Sequence, residues 1–184
     1  MGETDDTSTR LGSISDYKSV VDRYYTRKYK INLVEEGNDH CVLVHSNRIS
    51  VITLAPSHPI LKEKKEVTEV SFQVKPDTNH LENAISGKSK RGATSVTASA
   101  PLCLVTCSDG SKYSVCACLR GMLLEVNENL IKNPSLLTSK PDSDGYVGIV
   151  LCQLRDYEAE QRKLLSQEQY DERMKKAAEK KAAS

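Results

Sequence analysis

The sequence predicts a small β-sandwich or barrel with helical additions. Three observations point there. Short β-branched runs recur through the middle of the chain, Asn-, Asp- and Gly-bearing breaks separate them, and a closing stretch rich in Ala, Glu and Lys contains neither Gly nor Pro. A length of 184 residues fits one domain with tails better than two domains.

Residues 1–19 are rich in Ser, Thr and Asp and poor in apolar side chains, the composition of a disordered tail. Order is expected from Val20, where Val20-Val21-Asp22-Arg23-Tyr24-Tyr25 first clusters apolar and aromatic residues. CVLVHSNRISVITL, residues 41–54, reads as a hairpin broken at Ser46-Asn47, and Pro56 and Pro59 end its pairing because proline donates nothing to a ladder. Residues 66–75, EVTEVSFQVK, follow a period of two that groups Val67, Glu69, Ser71 and Gln73 on one face of a half-buried strand. LCLVTC and KYSVCACL flank Ser108-Asp109-Gly110-Ser111, and Asp-Gly between β-branched runs is a strong hairpin signal. With Asp109-Gly110 as the two central turn residues, Cys107 faces Lys112 and Cys103 faces Cys116.

Gly121 opens a further strand, GMLLEVN. Asn127 can cap a short helical turn carrying Leu130 and Ile131, which Pro134 limits. A last strand is expected within Gly145–Leu151. Ser166 followed by Gln169 fits a capping box at the head of a terminal helix, with Tyr170 and Met174 four apart on one face. Beyond Met174 only alanines are available for packing, so residues 175–184 are expected to fray as a basic tail, leaving 20–174 as the folded domain.

Composition excludes several function classes. Lys and Arg (26) nearly cancel Asp and Glu (25), and a dedicated nucleic-acid binder carries a basic excess. No run reaches the ~20 apolar residues that span a bilayer, and residues 1–19 lack the apolar centre of a signal peptide. The expectation is a soluble intracellular protein with six reduced thiols.

Catalytic and metal chemistry find little to work with. Cys103, Cys107, Cys116 and Cys118 follow C-x3-C and C-x-C spacings, whereas structural zinc hairpins place two residues between ligands. Cysteine is also a common small core residue, so core packing is expected and no metal. Cys41 and His45 share a strand face two steps apart, too distant for a nucleophile and its base. His40, His58 and His80 have no assignable carboxylate. SGKSKRGA lacks the spacing of a phosphate loop, and its Lys88, Lys90 and Arg91 read as a basic surface loop. Together with Lys175 and Lys176 on the terminal helix they are the candidate contacts for an acidic partner.

Two resemblances bear on this reading. GMLLEVNENLIKNPSLL, then GYVGIVL, then LLSQEQYDERM are similar to the second half of the glycine-cleavage H protein, which implies a barrel-sandwich hybrid fold with a C-terminal helix. In that family a lipoyl-bearing lysine stands at a hairpin tip. Aligning Gly121 with the glycine after that hairpin puts Gly110 at the lysine's place, so the resemblance implies the scaffold without its cofactor. Over residues 20–174 the segments VDRYYTRKYK, DHCVLVHSNRISVITLAPSHPIL, SGKSKRGA, APLCLVTCSDGSKYSV and RGMLLEVNENL resemble the Abitram (Simiate) family. This implies a non-catalytic actin-binding protein that modulates actin polymerisation and, with nuclear regulatory partners, transcription. It also implies a place in the nucleus (including speckles) and cytoplasm, with actin-rich projections. The alternatives are a lipoyl or acyl carrier and a nucleic-acid-binding module.

Overall fold

A computed structural model describes residues 18–83, 85 and 92–182, with only the backbone of Lys181. Most of the tail expected at 1–19 lies outside the described residues, and so do Lys88, Lys90 and Arg91 of the basic loop.

Order begins with a single helical turn, α1 (Val20–Tyr24), whose cap Ser19 accepts a hydrogen bond from the Asp22 amide at 3.1 Å. It runs directly into β1 (Tyr25–Lys30). The expected hairpin follows as β2 (His40–His45) and β3 (Ile49–Leu54), turned through Ser46-Asn47. Arg48 takes up the left-handed conformation that closes it (φ 72°). The chain then makes α2 (Pro59–Lys62), with proline at its first position, where the missing amide costs nothing. Next come β4 (Val67–Ser71), β5 (Gln73–Lys75), β6 (Thr78–Asn79) and β7 (Thr94–Val96). The second expected hairpin is β8 (Pro101–Cys107) with β9 (Lys112–Cys116). After it stand β10 (Gly121–Val126), the short turns α3 (Asn129–Lys132) and α4 (Leu136–Ser139), and β11 (Gly148–Leu151). Two helices, α5 (Tyr157–Arg162) and α6 (Gln167–Ala182), complete the chain.

All strand pairs are antiparallel. One sheet runs β1-β2-β3-β11-β10-β7, a second runs β4-β8-β9, and β5-β6 form a small ribbon. The inner faces meet in one core. Val42, Val44, Ile52, Leu54, Leu123 and Val150 of the large sheet share it with Val70, Val105 and Val115 of the small one and with Phe72. This is the mainly β, H-protein-like fold with a C-terminal helix that the resemblance implied.

The large sheet is also covered outside, which explains why β2 reads HCVLVH without alternation. Its inner residues face the core, while Cys41 and Leu43 face a second cluster with Tyr29, Ala55 and Tyr170. The expected alternation of residues 66–75 does not hold. The β4–β8 register shifts between Val67 and Glu69, and this bulge turns Val67, Val70 and Phe72 inward while Glu69 is exposed. Asn127 accepts from the Asn129 amide as a cap should (3.2 Å), and Leu130 is buried, but Ile131 points to solvent. The capping box is present: Ser166 N donates to Gln169 Oε1 (3.0 Å) and Gln169 N to Ser166 Oγ (3.3 Å).

Candidate functional site

The β8–β9 tip is where this scaffold would carry a prosthetic arm. Gly110 N donates to Cys107 O at 3.0 Å and Cys107 N donates to Ser111 O at 2.9 Å, with Gly110 at φ +81°. The loop therefore holds three residues, a type I turn closed by a left-handed glycine, instead of the two expected. One extra loop residue slips the register by one. Lys112 pairs with Thr106 instead of Cys107, and Cys103 with Val115 instead of Cys116.

A neighbouring loop holds the tip. Lys65 Nζ lies 2.6 Å from Asp109 Oδ2, 3.3 Å from Ser111 Oγ and 3.3 Å from Glu63 Oε2, and 5.6 Å from the centre of the Tyr113 ring. The bond from Lys65, followed by those from Ser111, holds the Asp109 carboxyl well below the usual carboxylate range. The pair is exposed, so solvent screens it and its effect is geometric. A lipoyl group needs an amine free at the tip for its amide. The turn is Ser108-Asp109-Gly110, Lys65 is engaged, and Lys112 stands back on β9, so the residues present do not fit the group.

Behind the tip, side chains join the two sheets. Ser114 O on the free edge of β9 accepts from Asn38 Nδ2 (2.9 Å), and Cys116 N donates to His40 Nε2 (3.0 Å). Since His40 Nε2 accepts, Nδ1 carries the proton and donates to Asn38 O (3.1 Å). His58 has the opposite tautomer. Its Nδ1 accepts from the Ile60 amide (3.2 Å), so Nε2–H donates to Asn38 Oδ1 (3.2 Å). Both rings are fully buried, and His58 packs edge-on to Tyr113 with centroids 5.2 Å apart. Burial, chiefly, pushes His40 down to about 4 and His58 down to about 3. Neutral imidazole is what this seam requires. Sequence reasoning set these histidines aside for want of a carboxylate; their partners are backbone groups and an amide side chain, which leave no mark in composition.

A second polar chain fastens α6. The rings of Tyr29 and Tyr170 stack at 3.9 Å and 9°. Tyr170 OH donates to Ser57 Oγ (2.8 Å) and accepts from Ser57 N (3.0 Å), and Ser57 Oγ donates to Asp39 Oδ2 (2.6 Å). Tyr29 OH donates to Gln167 Oε1 (2.6 Å). Beyond Met174 the helix continues to Ala182: Lys175 faces solvent, and Lys176 pairs with Glu172 at 2.6 Å.

The cysteines line the interior. All six are buried and reduced, and Cys103, Cys107, Cys118 and Cys152 belong to the main core, as core packing requires. Burial drives the Cys41 thiol up to about 12, and His45 turns away to pack on Tyr25, so no thiolate–imidazole pair forms. Among the described residues no cluster of His, Cys, Asp or Glu could hold a metal ion, and no helix is long and apolar enough to cross a membrane.

A two-sheet barrel with a projecting hairpin and a helix across its outer face defines an H-protein-like β domain. The family model "Glycine cleavage H-protein" matches residues 58–177. The crystal structure of a glycine cleavage system H protein from Mycobacterium marinum aligns with a TM-score of 0.52 at 12% identity, covering 80% of this chain and 95% of that one, a likeness of fold alone. Protein Abitram of Homo sapiens is 48% identical over 159 residues, covering 86% of this chain and 88% of the relative. That of Drosophila melanogaster is 40% identical over 161 residues (87% and 72%), and that of Dictyostelium discoideum 35% over 160 (83% and 86%). The chain belongs to the Abitram family, on the H-protein scaffold.

Proposed function

We propose that this chain is a non-catalytic actin-binding protein that modulates actin polymerisation and, in the nucleus, transcription. The observation that carries the proposal is its pairing of close similarity to Abitram with an H-protein scaffold whose hairpin tip has no lysine. A scaffold freed of its arm acts through its surface. Its contacts are proposed to be the basic loop of Lys88, Lys90 and Arg91 and the solvent-facing α6 residues Lys175 and Lys176, which suit an acidic partner by charge. Such contacts weaken as salt screens them. The protein would divide between nucleus and cytoplasm with its partners, which imaging of a fluorescent fusion tests.

Cosedimentation with purified actin, repeated over a salt series, tests the main proposal. Binding at low salt that declines as salt rises supports it, and Lys175→Glu with Lys176→Glu should weaken it further. A chain that stays in the supernatant at every salt concentration, and also leaves polymerisation kinetics unchanged, overturns it. Unchanged binding after joint neutralisation of Lys88, Lys90 and Arg91 removes the loop from the contact. The carrier reading makes a different prediction, a lipoyl adduct in the intact mass of protein purified from its own cells.

A further inference from the structure

Where β1 ends, it parts from the α5–α6 junction. Tyr29 exchanges both backbone hydrogen bonds with Leu165, at 2.9 Å and 2.8 Å, but the rung that would follow, between Ile31 and Lys163, does not form. Backbone groups alternate in direction along a strand, so Ile31 turns its amide outward as Tyr29 does. That amide has no partner among the described residues. The opening is a pocket of about 160 Å³ lined by Tyr29, Lys30, Ile31, Lys163, Leu165 and Arg173. A water's share of the liquid is about 30 Å³, so the pocket suits a small ion with some of its hydration shell. Its lining holds three cations and no carboxylate.

Two of the cations are held in place and keep free donors. Lys30 Nζ donates to Lys163 O (3.3 Å), and Lys163 Nζ lies 2.5 Å from Glu160 Oε1. An ammonium has three donors, so each retains two. Glu160 lies behind the pocket, buried, with its other oxygen accepting from the Arg120 amide (3.0 Å). Against its burial, the bonds from Lys163 and Arg120 and the charges of Lys163 and Lys30 hold this carboxyl below its usual value, which places both ammoniums in its field. Arg173 makes no hydrogen bond or ion pair among the described residues, so its whole donor fork is available. Three positive charges against one negative leave an excess of two, and a phosphate monoester carries about −1.5 to −2 at pH 7 with three strong acceptor oxygens. The larger groove on the other side of Arg173 has no such excess, since Lys62, Arg173 and Lys176 there meet Glu36, Asp39 and Glu63. We propose that the pocket between the end of β1 and the α5–α6 junction binds a phosphate group, with Lys30, Lys163 and Arg173 as its charged donors and the Ile31 amide as its neutral one. Free phosphate and a small phosphate monoester share this chemistry. The proposal stands apart from the actin reading, since it involves neither the 88–91 loop nor Lys175 and Lys176.

The test titrates inorganic phosphate, and separately O-phosphoserine, into the isotope-labelled full chain, with chloride holding ionic strength constant. In the NMR amide spectrum the Ile31 signal should move and saturate, and chloride alone should leave it in place. Arg173 is exposed, so Arg173→Gln tests binding without disturbing the core, and it should weaken the phosphate midpoint about tenfold. Lys30→Gln should weaken it by about the same factor. Lys62→Gln, on the other side of Arg173, should bind within about twofold of the parent. Saturation by O-phosphoserine, alone or with phosphate, supports a monoester as the source, and saturation by inorganic phosphate alone supports the free ion. A shift that grows without saturating in any salt, no shift at tens of millimolar of either ligand, or a midpoint unmoved by both Arg173→Gln and Lys30→Gln overturns the proposal. The assay contains no actin, so its failure and the failure of the actin reading are separate results.

Discussion

The buried histidine seam makes this protein's stability depend on pH in a window where few other groups titrate. An unfolded histidine has a pKa of about 6.5, while His40 and His58 are held at about 4 and about 3 in the folded state. Above pH 6.5 both states are neutral and the linkage contributes nothing. As pH falls below 6.5 the unfolded chain takes up protons that the native chain refuses, so stability falls, and it keeps falling until the folded rings protonate. Each group costs about 1.36 kcal/mol per pH unit. At pH 5 the two together remove about 4 kcal/mol, a large share of the ~5–15 kcal/mol by which domains are stable. The geometry supplies the reason, because a second proton on His40 would point at the Cys116 amide and one on His58 at the Ile60 amide. Asp22, Asp109, Glu160 and Glu172 are all shifted below their ordinary values and leave this window clear. Urea midpoints measured from pH 7.5 to pH 5 should drop steadily, and His40→Gln or His58→Gln should each remove about half of the slope while lowering stability at pH 7.5. A midpoint independent of pH, or a slope untouched by both substitutions, would falsify the assignment of neutral, structurally required imidazoles.

Two further perturbations separate other parts of the architecture. Tyr170→Phe keeps the stack on Tyr29 but strands the Ser57 amide, while the Ser57 hydroxyl keeps its bond to Asp39. It should cost about 1–2 kcal/mol in chemical denaturation and loosen α6 first, seen as faster amide exchange in Gln167–Met174. Two glycines should respond differently to alanine. At Gly145 a Cβ would sit 2.0 Å from Leu136 O, so Gly145→Ala should destabilise by several kcal/mol or prevent soluble expression. At Gly110 nothing lies within 4 Å, and only the φ of +81° opposes a side chain, so Gly110→Ala should cost about 1–2 kcal/mol in thermal melting.

Much of the scaffold was legible along the chain. The 41–54 hairpin, the strand from Gly121 and the Ser166–Gln169 box are local patterns, in which residues a few positions apart dictate backbone conformation and neighbours need not be known. The β1 strand was harder to read because YTRKYK sets its two tyrosines four apart among polar and charged residues, and its apolar face exists only once α6 lies against it. Register at the β8–β9 tip was ambiguous for a sharper reason. Asp-Gly suits both a two-residue turn and a three-residue loop closed by a left-handed glycine, and the choice between them shifts every partner by one. The same holds for β4, where a bulge that no pattern announces brings Val67, Val70 and Phe72 to one side.

Composition and periodicity thus established a β domain with a terminal helix and a tip without lysine, because strand, turn and cap preferences act over a few residues. Two things waited on distant segments meeting: the Lys65 clasp on Asp109, 44 positions away, and the seam in which His40 serves Cys116, 76 positions along the chain. A buried backbone amide must find an acceptor, and which side chain supplies it is settled only when the sheets close.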